Sequence, residues 1–339
     1  PVAALFPFFL VVFVFNGFLK RFAPKRVFTP SELIIIFFIV FTASCVPAWG
    51  FSSYWVAVPS MPFYYANEEN RWAELFFDVL PDWLVVSDSG RAIQWFYEGL
   101  PIHSSQIPWV EWLIPMGWWG TLLLSLFSVC AAIMVILRKQ WIERERLTFP
   151  LARVPMLLVE ESDEPSLLPK IAGRKLFWLG FSFPLFVICW NIASYWDLVA
   201  PIPLGAPYTA NITLAESFPA MSFKASFAFL SIGYFTELSI LFSVWVFVLL
   251  SAIQVGIMSR IGVPRTAEIV LAQHLGGFFV YTLFGLWMAR SHLGDVLRKA
   301  FGRDEDVDDS GEFMSYRTAV FVIFFGITYI GLFLYAGGM

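Results

Sequence analysis

The sequence predicts an all-α, polytopic transmembrane helix bundle, and three observations support this fold class. Apolar stretches of membrane-spanning length recur along the chain with almost no charge, and the loops between them alternate between basic and acidic. In addition, 58% of the residues are hydrophobic and the mean hydropathy is +0.71, whereas soluble domains are about half apolar. Because hydrocarbon offers no water to the backbone, each crossing must be a helix of about 20 residues.

About seven crossings are expected. The segments are residues 1–18, 33–46, 112–137, 176–192, 237–257, 277–289 and 318–336. A soluble all-α protein would need polar stripes on its helices, which these segments lack. We therefore expect one transmembrane domain over residues 1–339. Since the chain starts inside an apolar run, we also expect it to be a fragment of a longer membrane protein.

The charge of the loops predicts their side of the membrane. Residues 20–26 carry four basic residues and no acid, and residues 138–175 carry eight basic residues. Cytoplasmic loops are enriched in Lys and Arg, so the first loop and the 138–175 linker are expected in the cytoplasm. The second helix should begin with a capping box formed by Thr29 and Glu32. These assignments predict a multi-pass protein of the cell inner membrane.

Residues 49–111 form an extracytoplasmic, aromatic-rich segment of about sixty residues between crossings two and three. It contains eight acids against two arginines. The segment should contain short amphipathic helices near residues 71–80 and 91–100. Its acids could serve a membrane-embedded transferase as base or metal ligand, although charge asymmetry explains them without chemistry; they include Glu68, Glu69, Glu74, Asp78, Asp82 and Asp88.

The basic groups around the sixth crossing conflict with a simple alternation of sides. Arg260 and Arg265 should be cytoplasmic after the fifth crossing, and residues 290–317 also have the composition of a cytoplasmic loop. Only one clear apolar run separates the two groups. Either residues 267–275 dip into the membrane and return as a re-entrant hairpin, or one flank lies outside. The positive-inside rule favours the hairpin.

Glu237 is the sharpest candidate for a functional residue, because a carboxylate entering an apolar run is costly unless it is paired. The alternative is an interfacial Glu that is stabilised by the N-terminus of a helix. Asn191 and Asp197, at the end of the fourth crossing, could share a polar site with Glu237. Asn191 could equally form an interhelical hydrogen bond.

Gln254, Gln273 and His274 form a second polar group. With Gly276 and Gly277 following, this stretch is compatible with an unwound transporter helix that exposes backbone groups to a substrate. A close-packing glycine pair explains the two glycines equally well, and we favour that simpler interpretation.

Other chemistries lack support in the sequence. The three histidines lack metal-binding spacing, and the acidic run after residue 303 departs from a calcium loop at two required positions. The three cysteines lie in apolar stretches without a pairing pattern. We predict no catalytic residue, no metal and no cofactor. The net charge of −4 argues against a nucleic-acid partner.

Five short motifs stand out in the sequence, at residues 140–151, 243–245, 292–302, 308–312 and 315–317. Together they resemble a family of large, uncharacterised prokaryotic membrane proteins, itself distantly similar to oligopeptide (OPT-type) transporters. The resemblance implies a fold and no catalytic residues. The first motif could be a structural elbow or a cytoplasmic gate, and we favour the elbow.

The function we expect is secondary transport of a small organic solute. The solute would be peptide-like or a metal chelate, and proton coupling would use a carboxylate such as Glu237. A membrane-embedded transferase and a non-catalytic membrane subunit are the alternatives. The lipid bilayer and the solute are the expected partners, and a homo-oligomer is left open. No phosphate-binding loop of the GxxxxGK[ST] type is present in the sequence.

Overall fold

The computed structural model describes residues 5–44, 52–87, 89–101, 107–147, 149–160, 167–204, 208–216, 218–303 and 307–338. The protein is all-α apart from one short antiparallel hairpin, which confirms the predicted fold class. Six helices in the described part are long and apolar enough to cross a membrane. A seventh apolar helix, Pro30–Ala43, is shorter.

Fourteen helices and two strands are numbered here in chain order within the described residues. The first half contains α1 (Leu5–Phe22), α2 (Pro30–Ala43), α3 (Ser52–Ala57), α4 (Met61–Tyr64), α5 (Trp72–Leu75), α6 (Ala92–Glu98) and α7 (Trp109–Lys139). The second half contains α8 (Pro150–Val159), α9 (Lys175–Ser194), β1 (Ala210–Thr213), β2 (Ala220–Phe223), α10 (Phe227–Phe235), α11 (Leu238–Arg260), α12 (Thr266–Met288), α13 (Arg290–Ala300) and α14 (Tyr316–Ala336).

Two local predictions are confirmed. Thr29 and Glu32 form the expected capping box at the start of α2, with the Thr29 hydroxyl accepting from the Glu32 backbone N–H. The segment of residues 49–111, expected to be extracytoplasmic and called the outer segment below for that reason, contains short helices near the two expected positions, α5 and α6. Residues 45–51, between α2 and α3, lie outside the described part, as does Asp88.

The chain divides into two compact units. Unit 1 comprises Pro1–Cys45 and Thr148–Thr282, and unit 2 comprises Val46–Leu147 and Leu283–Met339. The core of unit 1 joins α1, the start of α2, the end of α8 and the turn before α9, through residues such as Phe8, Val12, Leu33, Leu158 and Ala172. Phenylalanine rings of α1 stack on rings of α9, which explains part of the unusual Phe content.

Unit 2 is built on an antiparallel pair, α7 and α14, with α13 packed beside them. Small side chains let the two long helices approach closely, since Ala132 and Ala319 are fully buried between them. At the other end of the pair, Trp83 of the outer segment contacts Trp118 and Phe333. The outer segment is therefore anchored on the ends of α7 and α14.

The prediction of a re-entrant hairpin at residues 267–275 is wrong. These residues belong to α12, a continuous helix of 23 residues that begins at Thr266 rather than at residue 277. Gln273 and His274 made this stretch look unsuited to a span, but polar side chains leave the helical backbone hydrogen bonds intact. Gly276 and Gly277 are likewise accommodated within the helix. The end of α12 near Arg265 and its end near Arg290 are therefore a full helix length apart.

Candidate functional site: a groove between α11 and α12

Helix α11 carries hydroxyl groups along one face. Ser239, Ser243 and Ser251 are spaced by multiples of four residues, with Phe247 completing the series, and successive members of the series are neighbours on the helix surface that line one groove. The Ser243 hydroxyl donates to the Ser239 backbone carbonyl at 2.7 Å. This bond satisfies the hydroxyl proton within the helix and leaves the oxygen lone pairs available to a ligand.

Helix α12 presents an imidazole and a phenol to the same space. His274 and Tyr281 are seven residues apart, which is two helical turns, and therefore share a face. His274 lies eight residues into a 23-residue helix, close to its middle. Both side chains are exposed in the described structure.

A single hydrogen bond joins the two helices near their connecting loop. The Gln254 side-chain Nε2 donates to the Gln273 side-chain Oε1 at 2.7 Å. Gly262 and Arg265 adopt positive φ values of 81° and 57° in this loop, which reverses the chain within a few residues. The two backbones approach closely at few positions, so the helices leave a space between them.

That space is an open groove of about 700 Å³. Its size falls within the range of small-molecule sites, about 300–1,000 Å³. Its lining contains no Asp, Glu, Lys or Arg from the described residues. The lining residues are Ser239, Ile240, Ser243, Val244, Phe247, Val248, Ser251, His274 and Tyr281.

The groove can form hydrogen bonds without a fixed charge. Serine and tyrosine hydroxyls both donate and accept, and a neutral imidazole offers one donor and one acceptor. The intervening Val, Ile and Phe side chains supply apolar contact. Such a surface suits a small polar organic molecule, and His274 is the one imidazole among its lining side chains.

The second predicted polar group is brought together by the structure. Gln254 and Gln273 bond each other, and His274, the next residue, faces the groove. Gly276 and Gly277 lie within the continuous helix α12, so the unwound helix, which was the less favoured of the two interpretations, is not observed. Among the described residues, no atom would contact a Cβ at either glycine, and close packing is not observed there either.

The first predicted group is dispersed. Glu237 occupies the N-cap position of α11, is exposed, and precedes the groove residue Ser239 by two positions. The Asn191 amide instead holds the loop after α9, donating to the Ile202 carbonyl at 3.0 Å and accepting from the Ile202 N–H at 2.8 Å. Asp197 adopts a positive φ of 54° in the same loop.

The outer acids do not form a metal site in the part of the chain that the structure describes. Glu74 pairs with Arg71 on an exposed turn. No group of three His, Cys, Asp or Glu side chains able to hold a metal was found among the described residues. The transferase alternative therefore gains no supporting geometry here.

Sequence reasoning missed Ser239, Ser243, Ser251 and Tyr281. The repeated four-residue spacing of serines within an apolar run was visible and could have indicated a polar helix face. Tyr281 gave no comparable signal, because an isolated Tyr is common in membrane helices.

The comparisons with known proteins assign a family. The model of a family of unknown function, DUF6785, matches residues 1–339. The chain belongs to this family. No curated protein and no solved structure matches the chain. Membership of DUF6785 assigns no activity, so the functional argument depends on the geometry of the groove.

Proposed function

We propose that this DUF6785 protein is a secondary transporter that binds a small polar organic solute in the groove between α11 and α12. One observation carries the proposal: three serine hydroxyls, an imidazole and a phenol line the same groove of about 700 Å³ between two membrane-length helices.

The position of these polar groups inside membrane-length helices has an energetic cost. Polar side chains within a membrane span are costly where they meet lipid, and they usually face the bundle interior or a water-filled path. A serine can satisfy its proton on its own helix, as Ser243 does. His274 and Tyr281 lie too far along α12 for their exposure to be explained by the helix ends.

Proton coupling is proposed through His274, with Glu237 as a second titratable group near the Ser239 end of the groove. Neutral imidazole can accept a proton from water near physiological pH and return it. The resemblance to OPT-type transporters favours a peptide-like solute or a metal chelate. The host would be the cell inner membrane, with the lipid bilayer as the structural partner.

The test is uptake into proteoliposomes that contain the full-length protein, under an imposed proton gradient, with short peptides and chelated metals as probes. We expect uptake to follow the gradient. His274→Gln should abolish coupling to protons, and Ser243→Leu should reduce uptake by removing a groove hydroxyl. Glu237→Gln compares the two candidate proton carriers. If His274 carries the proton, Glu237→Gln should reduce proton-coupled uptake less than His274→Gln does.

Two matched variants act as controls. Ser182→Leu changes a serine on α9 that bonds its own helix and lies outside the groove lining. Gly277→Ala changes α12 three residues after His274 without meeting a neighbour. Both should transport normally. Failure to move any probe, or normal coupled uptake by the folded His274→Gln protein, would contradict the proposal.

A further inference from the structure

We propose that residues 219–237 form a discontinuous membrane crossing, so that the chain crosses the membrane between the turn of the β-hairpin and the start of α11. The crossing consists of strand β2, a short extended segment and the nine-residue helix α10. It was not expected from the sequence because no apolar run of spanning length is present there. The contacts that place this crossing lie within unit 1, and the crossing does not depend on the proposed transport function.

Phe218 marks the start of the proposed crossing. The Phe218 ring lies against Gly256, where any Cβ would overlap the ring. The Arg260 guanidinium lies 5.8 Å from the centroid of the same ring. Phe218 is therefore level with the C-terminal end of α11.

Glu237 marks the end of the proposed crossing. Glu237 directly precedes α11, which begins at Leu238. Eighteen residues separate Leu238 from Gly256, and at a rise of 1.5 Å per residue they span about 27 Å. The hydrocarbon core is about 30 Å thick. Since α11 spans the membrane, the chain between Phe218 and Glu237 must cover nearly the same depth.

Helix α10 lies on the path of the chain between these two ends of the crossing. Phe227, the first residue of α10, contacts Phe183 near the middle of α9, with ring centroids 5.8 Å apart. Further along, α10 packs against α8. The last residues of α8, Leu158 and Val159, belong to the core around Leu33, at the start of α2. The path therefore runs from the hairpin, past the middle of α9, toward the end of the membrane where α2 begins.

The consequence is a different assignment for the basic loops. Helix α9 starts beside Lys170, Arg174 and Lys175 and ends at the loop that leads to Phe218. Arg260 and Arg265 then lie on the same, extracytoplasmic, side as that loop. Because α12 is continuous, its far end with α13 returns to the cytoplasmic side. A re-entrant hairpin is then not needed to bring α13 to the cytoplasmic side. The basic residues of α13 lie in the cytoplasm, in agreement with the positive-inside rule.

Contacts in unit 2 support the side assigned to α13. His292 Nε2 lies 2.7 Å from the Ile136 carbonyl, and Arg144 pairs with Asp295 at 3.4 Å. Helix α13 therefore lies at the C-terminal, basic end of α7, which is the cytoplasmic end. If the groove is the transport site, the Ser239 end with Glu237 faces the cytoplasm, and the Gln254–Gln273 bond closes the extracytoplasmic end. This last assignment rests on the proposed function.

Cysteine labelling of the full-length protein in cells tests the crossing without any transport assay. Cys45, Cys130 and Cys189 are first replaced by Ser. Single cysteines are then introduced and treated with a membrane-impermeant maleimide, before and after permeabilisation. The positions are Leu198→Cys, Glu216→Cys, Glu237→Cys, Ile261→Cys and Phe313→Cys, all of which are exposed.

We expect the cysteines at positions 198, 216 and 261 to react in intact cells, and those at 237 and 313 only after permeabilisation. Leu238→Cys replaces Glu237→Cys if the latter fails to fold. Reaction of positions 216 and 237 from the same side would overturn the proposal, as would reaction of position 261 together with 313. Each outcome depends only on which of the five positions react from the same side of the membrane. The labelling therefore tests the crossing even if no solute is taken up in the transport assay.

Discussion

Two antiparallel helix pairs in this protein carry small residues, and they use them in opposite ways. In the α7–α14 pair, a Cβ at Gly326 would overlap Val129, and the Ser125 hydroxyl donates to the Gly326 carbonyl at 3.2 Å. In the α11–α12 pair, Gly277 has no described neighbour, and Ser243 faces a groove. Small residues promote close helix packing in membranes only where a partner helix fills the space they leave.

A salt bridge also holds the α7–α14 pair at one end. At the C-terminal end of α7, Arg138 donates two hydrogen bonds to Glu312, at 2.7 and 2.9 Å, and the Glu312 side chain is fully buried. In the open pair, the bond that joins the two helices near their loop is the uncharged Gln254–Gln273 bond. The comparison distinguishes a closely packed helix pair in unit 2 from an open helix pair in unit 1.

The largest expected effect is at the glycine contact. Gly326→Leu forces a side chain into Val129, and the free energy of unfolding should fall by about 3 kcal/mol. Gly277→Leu is the matched control, since it changes a glycine inside a span with no neighbour and should cost less than about 0.5 kcal/mol. Unfolding in mixed detergent micelles measures both. Equal losses would remove the distinction between the two pairs.

The next effect concerns the buried carboxylate. Arg138→Met leaves the Glu312 carboxylate buried without its donor, which should cost about 1–3 kcal/mol of unfolding free energy. Adding Glu312→Gln removes the buried charge and should restore part of that loss. A double-mutant cycle in the same micelles gives the coupling. Additive losses would show that the pair does not close the helix end.

The smallest effect concerns Asp295 on α13, outside the spans. Hydrogen bonds from Arg298 and then Arg144 hold the pKa of the Asp295 carboxyl below its ordinary value of 3.8. A lowered folded-state pKa stabilises the protein above the unfolded-state pKa, and this stabilisation is lost as pH falls through the folded-state value. Asp295→Asn should therefore cost up to about 1 kcal/mol near neutral pH, because the pairs are partly exposed.

A pH series of unfolding measurements checks this sign. The difference between wild type and Asp295→Asn should be constant from neutral pH to mildly acidic pH and should shrink below 3.8. A difference that grows as the pH falls through this range would contradict the assigned hydrogen bonds.

The sequence predicted the spans well because hydrophobicity is a local property. Each of the seven expected segments coincides with or overlaps a helix, and the Thr29–Glu32 capping box forms as expected. The length of α12 was underestimated because Gln273 and His274 lower local hydropathy without affecting backbone hydrogen bonds.

The groove was only partly predictable. Gln254, Gln273 and His274 were singled out because polar groups are rare in spans, and they do lie together. Gly326 and Gly277 are indistinguishable in sequence, since both lie inside apolar runs, and only the partner helix decides which one is packed. The position of Phe218 against Gly256 depends on a contact between residues 38 positions apart, which no local pattern encodes.

The most direct test of the central claim asks whether the groove holds water. Ser243→Cys and Ser182→Cys place thiols within two spans, the first in the groove and the second on α9. Because only the thiolate reacts, a water-soluble thiosulfonate should modify the cysteine at position 243 at least about tenfold faster. Protection of that cysteine by a transported solute would place the solute in the groove. Equal, slow modification of both cysteines would mean that the α11–α12 face meets lipid or protein, and would contradict the account.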